Sequence, residues 1–291
     1  MFRLSIAKTV AIVAAAFSLQ ASASAINLIS NGSFETVDPN AVSNNYTSST
    51  SRTYDAIAND NAGSRWGLFN TSYVTGWTAL YGKQIEIDVN GLTDNVDTAF
   101  GKNYIELDTH FGVKTIGKDA NGKDIRVTTN ESNAGIAQSL SGLTVGATYE
   151  LSFWYRARTT LLDDNLLKVY WMPTAVASAL NGALDASQIM PLISQYVVKT
   201  VDYKAADNNN AKWVKYTQAF IASNSNMTLG FGADGNAQWE SANWADVVET
   251  NGNKVGAQLD NVSLVAVPAP ASIGLFGLGL LALGLRRRMS K

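Results

Sequence analysis

Residues Gly135–Arg158, GIAQSLSGLTVGATYELSFWYRAR, decide the fold class of this 291-residue chain. The second half alternates strictly, with one face formed by Tyr149, Leu151, Phe153 and Tyr155. Large apolar side chains at every second position are typical of a half-buried β-strand. The first half, Gly135 to Leu140, predicts a partner strand, and Gly142 and Gly146 suit a turn that needs positive φ. The stretch therefore predicts a β-hairpin at the centre of a β-sandwich.

Composition limits the kinds of site that the chain can build. With 291 residues, 46% of them hydrophobic, the chain is long enough to bury a large core in one domain. It has no cysteine, which excludes disulfides and thiolate metal sites. It has a single histidine, His110, which makes zinc hydrolase chemistry a poor fit. Stability must come from packing, with or without help from a metal bound through oxygen ligands.

The charge of the chain is unevenly distributed. Six of its 22 basic residues lie in the first 25 and last 24 positions, which contain no acid. Without those two ends, 16 basic residues remain against 24 acidic ones, a formal charge of −8. An acidic body disfavours nucleic acid and anionic membrane surfaces as partners.

The first 25 residues predict a secretory signal peptide. Arg3 and Lys8 precede an apolar run from Thr9 to Leu19, and the segment ends in small residues at Ala23-Ser24-Ala25. This order of charge, apolar run and A-x-A site is typical of a segment that is cleaved after export through the Sec translocon. A core helix would account for the hydrophobicity but not for the order.

Residues 268–291 contain three consecutive parts. They are Pro268-Ala269-Pro270, an uncharged run from Ile273 to Leu285, and the cluster Arg286, Arg287 and Arg288. A helix of thirteen residues is about 20 Å long, which is short of the roughly 30 Å hydrocarbon layer. The tail resembles the C-terminal sorting signal of PEP-CTERM proteins of Gram-negative bacteria, with Ala269 where the family name has Glu.

That resemblance implies an exosortase partner, a transient hydrophobic helix in the membrane, and a location in the cell envelope, at the cell surface or in the extracellular matrix of a biofilm. The arginines are expected on the cytoplasmic side. A permanent tail anchor is a weaker alternative, because a signal peptide leads the chain and a Pro-x-Pro precedes the apolar run.

Two short segments bracket the body, which is predicted to be residues 26–267. Asn27 to Glu35, NLISNGSFE, and Leu259 to Leu264, LDNVSL, resemble the two ends of a galactose-binding-like jelly-roll β-sandwich, the fold of many carbohydrate-binding modules. The resemblance implies that Glu35 and Asp260 hold a structural Ca²⁺ together with backbone carbonyls, and hard oxygen ligands agree with that ion. The alternative is that Glu35 accepts hydrogen bonds in a turn and Asp260 forms an Asx-turn.

The remaining patterns complete an all-β prediction with a short helical insertion. Strands are predicted at residues 83–89, 102–108, 213–221 and 227–231, and up to Trp171. The insertion, at about 174–210, has mixed helical spacing and is predicted to dock on the sandwich. Residues 40–63 and 234–256 read as long surface loops, and Trp77 as a core residue. Residues 103–171 resemble a domain recurrent among PEP-CTERM proteins, which supports fold and location.

Catalysis is poorly supported. His110 has no G-x-S-x-G partner motif, so a Ser-His-Asp triad has no nucleophile signature. Paired carboxylates for glycoside cleavage remain open, and the acids on adjacent predicted strands are Glu86, Asp88, Glu106 and Asp108. Acids at strand ends are usually solvated, so the chain is predicted not to be an enzyme.

Binding of a glycan is the favoured function, because sugar rings need aromatic platforms beside polar groups. Trp154 and Arg156 on the outer face of the central strand, and Trp239 and Trp244 in the late loop, are the candidates. Each has a structural alternative, since Trp154 can be covered by the insertion and the loop tryptophans can anchor their own loop. Three hypotheses follow: an exported polysaccharide-binding protein, an adhesive matrix protein without a specific ligand, and a glycan-processing enzyme.

Overall fold

The computed structural model describes twelve stretches of the chain, from residue 26 to residue 268. They are residues 26–43, 51–60, 65–81, 84–89, 101–107, 112–122, 124–129, 135–158, 165–180, 192–201, 212–233 and 256–268. The predicted signal helix and the predicted sorting helix beyond Pro268 lie outside these residues. Among the described helices, none combines the length and the hydropathy needed to cross a bilayer.

Strands dominate the described residues. In chain order they are β1 (Trp66–Asn70), β2 (Thr78–Tyr81), β3 (Gln84–Val89), β4 (Asn103–Leu107), β5 (Gly112–Lys118), β6 (Asp124–Thr129), β7 (Gly135–Leu140), β8 (Thr148–Arg156), β9 (Leu167–Pro173), β10 (Val197–Val201), β11 (Val214–Ile221), β12 (Met227–Ala233) and β13 (Ala257–Ala266). Two short helices accompany them, α1 (Tyr54–Ala58) and α2 (Thr174–Leu180).

The strands form two main antiparallel sheets. Sheet A has six strands in the order β1-β3-β4-β13-β8-β11, and sheet B has five in the order β10-β9-β12-β7-β2. Strands β5 and β6 pair separately as a ribbon. The predicted all-β sandwich is therefore confirmed.

The core lies between the two sheets. The four predicted inward side chains of β8 are all buried there, so the alternation read from the sequence is confirmed. Phe153 of sheet A meets Phe231 of sheet B edge to face, with ring centroids 5.3 Å apart. Trp77 is buried as predicted, and its ring lies 6.3 Å from that of Phe231. These rings join the two sheets through apolar contact.

The predicted hairpin between β7 and β8 is wrong. Strand β7 pairs with β2 and β12 in sheet B, whereas β8 pairs with β11 and β13 in sheet A. Residues 141–147 thus cross from one sheet to the other instead of reversing the chain within one sheet. Gly142 and Gly146 do adopt the predicted positive φ, at 73° and 82°. Alternation identified the inner face correctly, but it could not identify the strand partner.

Two loop predictions also change. Within residues 40–63, Thr53 caps α1 by accepting a hydrogen bond from the Ala56 amide, and Ile57 of that helix is fully buried. Within the insertion, α2 confirms a helix, but β10 adds a strand at the edge of sheet B. The predicted helical residues between 181 and 191, and the late loop at 234–255, lie outside the described residues.

The first described residues fasten the sandwich by contacting both sheets. The Leu28 amide donates to the Leu264 carbonyl in sheet A at 2.8 Å. The Ser30 amide donates to Gln138 Oε1 in sheet B, also at 2.8 Å. We call residues 27–35 the N-terminal clasp. Inside it Phe34 is fully buried at φ 57°, a left-handed conformation that only strong packing supports in a bulky residue.

Gly32 allows the clasp to approach strand β13. The Val262 amide donates to the Gly32 carbonyl at 2.9 Å, and a Cβ added to Gly32 would lie 2.0 Å from the Val262 carbonyl oxygen. No side chain fits there without moving backbone.

Replacing Gly32 by alanine is expected to lower the free energy of unfolding by at least about 2 kcal/mol, because the backbone of either the clasp or β13 must shift. Chemical denaturation of the full chain measures the change. Gly117→Ala is the matched control, since a Cβ at that exposed glycine meets nothing within 4 Å. Equal midpoints for the two variants would contradict the close approach.

Candidate functional site

The outer face of sheet A carries a row of mostly polar residues aligned across five strands. The strand register places Leu68 opposite Glu86, Glu86 opposite Glu106, Glu106 opposite Gln258, and Gln258 opposite Arg156. Alternation places these side chains away from the core, because Ile85, Ile105, Tyr155 and Leu259 beside them point into it. We call this row, with its aromatic neighbours Trp66, Tyr104, Trp154 and Trp213, the polar array.

Glu106 is the centre of the array and is fully buried. Its Oε1 accepts a hydrogen bond from the Gly256 amide at 2.8 Å. Its Oε2 accepts from Gln258 Nε2 at 3.1 Å and from Arg158 Nη1 at 2.5 Å. Because a buried carboxylate is stable only when it is paired and hydrogen-bonded, these three donors explain how an acid is tolerated at this position.

Arg156 is held between two aromatic rings. Its guanidinium carbon lies 5.3 Å from the ring centroids of both Tyr104 and Trp213, and those two rings meet edge to face at 5.6 Å. Its Nε donates to Gln258 Oε1. The residue is only 3% exposed. Arg156 lies on the predicted outer face of sheet A, but it is buried there and supports the array through its contacts with Tyr104, Trp213 and Gln258. Its predicted contact with a ligand stays a prediction.

Three carboxylates of the array lie close together. One oxygen from each of Glu86, Asp88 and Glu106 falls within 4.8 Å of the others. Burial alone would lower the pKa of Arg158, but the charges of Glu106, and then of Asp88 and Glu86, raise it above its ordinary value. The acids therefore hold a permanent cation at the edge of the array.

The aromatic side chains lie on both flanks of the polar row. Trp66 stands opposite Asp88, and Trp154 stands opposite Asp260 on one side and Lys215 on the other. Both tryptophans are half-buried, and Lys215 is exposed. Trp154 is thus on the predicted face and reaches solvent in part. Trp239 and Trp244, like His110 and Asp108, lie outside the described residues, so their predicted roles stay predictions.

Sequence reasoning missed Trp66, Tyr104, Trp213 and Gln258 as members of this face. A usable signal existed for Tyr104, since the alternation in NYIEL puts it on the same side as Glu106. For Gln258 the signal is its place between Ala257 and Leu259, which are core residues. The array as a whole depends on how strands that are distant in sequence align with one another. A single sequence does not reveal that alignment.

The predicted metal ligands lie where the N-terminal clasp meets β4 and β13. Glu35 is exposed, and its Oε1 accepts from the amides of Lys102 and Asn103, both at 2.7 Å. Asn103 in turn donates through Nδ2 to the Phe34 carbonyl and accepts through Oδ1 from the Tyr54 hydroxyl. Glu35 therefore ties the N-terminal clasp to the start of β4, and its predicted role as a metal ligand stays a prediction.

Asp260 is the second predicted ligand and is 3% exposed. Its Oδ1 accepts from the Asn261 amide at 2.6 Å, and Asn261 has a left-handed φ of 49° at the bulge of β13. Burial raises the pKa of Asp260 to about 8, the Asn261 amide opposes that rise, and the charge of Glu35 adds to it. Two carboxylates that repel each other in a partly dry site suit a divalent cation with oxygen ligands, so the residues fit Ca²⁺.

The C-terminal residues match a known sorting signal. A family model described as the PEP-CTERM protein-sorting motif covers residues 266–288. This chain carries a PEP-CTERM sorting motif. The match contains Pro268, Ala269, Pro270, Arg286, Arg287 and Arg288, so the predicted sorting signal is confirmed. A PEP-CTERM motif indicates an exported protein that is sorted to the cell envelope.

The body of this PEP-CTERM chain is also similar to solved structures of low sequence identity. A CBM4 structure is 15% identical with a TM-score of 0.32, and the match covers 82% of this chain and 99% of that one. The CBM22-1 xylan-binding domain of Paenibacillus barcinonensis Xyn10C is 17% identical with a TM-score of 0.32, covering 67% and 87%. The enzymatically active domain of tailspike protein 4 from bacteriophage CBA120 is 12% identical with a TM-score of 0.33 over 83% of this chain, which spans 22% of the tailspike chain. No curated protein sequence matches the chain.

The raised pKa of Asp260 predicts how the stability of the PEP-CTERM chain depends on pH when divalent cations are chelated. Because the folded pKa of about 8 lies above the ordinary value of 3.8, the folded state holds this proton more tightly than the unfolded state. Asp260 therefore contributes a loss of stability that grows as pH rises from about 4 to about 8. Asp260→Asn, which cannot ionise, is expected to remove that loss.

The measurement is the melting temperature of both proteins across that pH range in chelator, and the informative quantity is the difference between them. The variant should gain on the parent steadily as pH rises. A constant difference would contradict the raised pKa. Glu150→Gln serves as control, since Glu150 is exposed on the same sheet.

Proposed function

We propose that this chain is an exported, non-catalytic protein that binds polysaccharide at the cell surface or in the extracellular matrix through the outer face of sheet A. The observation that carries the proposal is the polar array, in which rigidly hydrogen-bonded polar groups lie between tryptophans that are partly open to solvent. Export is supported by the PEP-CTERM motif, and exosortase and the Sec translocon are the proposed partners on the way out.

A sugar ring has an apolar C–H face and polar hydroxyl groups, and the array offers a partner for each. The C–H face of a pyranose ring packs on an aromatic face, which Trp154 and Trp66 provide from opposite flanks of the sheet. Hydroxyls need donors and acceptors that are already oriented, because flexible groups lose conformational entropy on binding. Arg158 is exposed and is fixed by its bond to the buried Glu106, so its remaining donors are pre-oriented at the surface of the array.

The same contacts support binding instead of glycoside cleavage. A glycosidase needs one carboxylic acid that stays protonated near neutral pH, which requires a raised pKa. Glu106 is fully buried, and its two oxygens accept hydrogen bonds from Gly256, Gln258 and Arg158, so neither is positioned to give a proton to a glycosidic oxygen. Glu86 and Asp88 feel the same cation. The cluster is therefore arranged as a set of acceptors.

A second candidate function is that of an adhesive or structural matrix protein without a specific ligand. The observation that favours it is the burial of the array, since Glu106, Arg156 and Gln258 are almost inaccessible and satisfy one another. In that case the array is a polar brace that fixes the register of sheet A.

Replacing Trp154 by alanine tests the binding proposal. Removing an aromatic platform is expected to weaken retention on a bound matrix polysaccharide by about tenfold or more, since losing the apolar contact of a large side chain costs roughly 1.5–3 kcal/mol. The measurement is affinity electrophoresis or pull-down of the full chain with polysaccharides from the producing matrix. Tyr73→Ala is the matched control, because Tyr73 is an exposed aromatic residue in a different part of the sandwich.

Equal retention of both variants would remove the outer face of sheet A as the binding site. No retention of the parent on any matrix polysaccharide would favour the adhesive role. Shortening of the polysaccharide during incubation, abolished by Glu106→Gln, would overturn the non-catalytic assignment.

We also propose a structural Ca²⁺ held by Glu35 and Asp260. The ion would offset both the burial of the Asp260 carboxylate and the charge of Glu35, which together raise the Asp260 pKa, and it would join the N-terminal clasp to β13. A bound ion adds RT ln(1 + [L]/Kd) to stability, about 2.7 kcal/mol at a hundredfold excess over Kd.

Calorimetry of the full chain with millimolar Ca²⁺ and with chelator measures this effect. A rise in melting temperature of several degrees is expected for the parent and should be absent in Asp260→Asn. Glu150→Gln should respond like the parent. An unchanged melting temperature in the parent would remove the proposed ion.

A further inference from the structure

One end of the sandwich is formed by segments without charged side chains. In the described part of the chain, three of them are residues 135–149, 216–233 and 261–268, none of which contains Asp, Glu, Lys or Arg, and the exposed Glu150 borders the first. They meet at the crossover between β7 and β8, where the Gly146 amide donates to the Ala222 carbonyl and the Val267 amide donates to the Thr148 carbonyl, both at 2.9 Å. Helix α2, TAVASAL, begins beside the same place, because the Thr174 amide donates to the Asn226 carbonyl. We call this the uncharged end.

Exposed aliphatic side chains concentrate at the uncharged end. Val145 is 60% exposed, Ile221 is 61% and Val267 is 41%. The backbone bonds place all three around Thr148: Val145 precedes Gly146, Ile221 pairs with Thr148 in the sheet register, and Val267 bonds to its carbonyl. Single exposed aliphatic residues are common on protein surfaces, whereas several on one uncharged surface indicate a contact site.

The sorting tail leaves the sandwich at this same end. Val267 and Pro268 are the last described residues, and the apolar run of the tail begins at Ile273. Six residues span at most about 20 Å even when fully extended. When the run from Ile273 to Leu285 enters a bilayer, the uncharged end is therefore the part of the body that is nearest to the lipid.

We propose that the uncharged end of the sandwich rests on the membrane interface while the tail is inserted, with Val145, Ile221 and Val267 reaching into the boundary between headgroups and acyl chains. Burying aliphatic side chains in that boundary lowers the free energy, whereas a charged side chain would have to lose its hydration there at a cost in free energy. The absence of lysine and arginine from these segments commits the contact to neutral lipid. The sandwich is thereby held upright above the membrane with sheet A and sheet B roughly perpendicular to it.

Because the chain lacks cysteine, single labels can be introduced without other changes. Ile221→Cys and Val145→Cys report on the uncharged end. Val214→Cys is the matched control, since Val214 is 45% exposed at the opposite end of β11, about seven strand residues or 23 Å away. Each full-length variant carries an environment-sensitive fluorophore and is reconstituted through its tail into phosphatidylcholine vesicles that contain brominated acyl chains.

The labels at 221 and 145 are expected to be quenched severalfold more strongly by the brominated lipid than the label at 214. Replacing part of the phosphatidylcholine by phosphatidylglycerol should leave the difference unchanged. Equal lipid quenching at all three positions would overturn the proposal. Bromine quenches only a label that is close to it, and a body on a flexible tether would not bring positions 145 and 221 to the lipid more often than position 214. Shielding of 145 and 221 from aqueous iodide without lipid quenching would also overturn it, in favour of a protein partner or a second copy. Polysaccharide retention is measured separately and does not decide this proposal.

Discussion

The sandwich depends on the N-terminal clasp, because this segment bonds to both sheets. Its backbone donates to Leu264 in sheet A and to Gln138 in sheet B, and Phe34 fills the space between them at a φ that packing alone sustains. The indole of Trp77 donates to the Asn31 carbonyl at 2.9 Å, which ties the clasp to the core. A β-sandwich has open edges where its two layers can slide or part, and the clasp fixes their relative position.

The buried charged groups on the outer face of sheet A are tolerated because they are bonded to one another and to neighbouring polar groups. Removing Arg158, Glu106 or Gln258 alone would leave its partners buried and incompletely bonded, which costs more than the intact set contributes. Such a network is expensive as a means of stabilisation, since an apolar face of the same size would pack at least as well. Stability alone does not account for the network, whereas a need for oriented polar groups does. This is the physical basis for proposing that the face binds a ligand. The Arg156 guanidinium between the rings of Tyr104 and Trp213 also bonds to Gln258, so it joins the network to its aromatic neighbours.

Sequence patterns predicted what each strand buries better than what it pairs with. The alternation of Tyr149 to Tyr155 defined the inner face of β8 because burial is a local property of a strand. The pairing of β8 with β11 and β13 depends on residues more than fifty positions away, and nothing in the stretch from Gly135 to Arg158 encodes it. The burial of Arg156 was missed for the same reason, since its cover comes from Tyr104 and Trp213. Helix α1 had a local signal in Thr53 and Asp55, but the polar composition around it favoured a loop.

Glu35 and Asp260 show what family patterns can predict and what they leave open. The two bracketing motifs brought Glu35 and Asp260 together as candidates, and in the structure burial, with a smaller contribution from the charge of Glu35, raises the Asp260 pKa. Sequence alone left open whether Glu35 serves a turn or an ion. In the structure one oxygen of Glu35 accepts from the amides of Lys102 and Asn103, and the other oxygen is the one that the proposed cation would bind.

The closure of the chain on itself links folding to secretion. Asn27 and Leu264 are 237 positions apart, yet they bond directly, and β13 lies between β4 and β8 in the middle of sheet A. A polypeptide that is exported from its N-terminus cannot complete this sheet until residue 264 has emerged. The loop that must close is long, and non-local pairing of this kind is slow. Premature compaction is thus disfavoured by topology itself, because the last described strand takes a central place in sheet A.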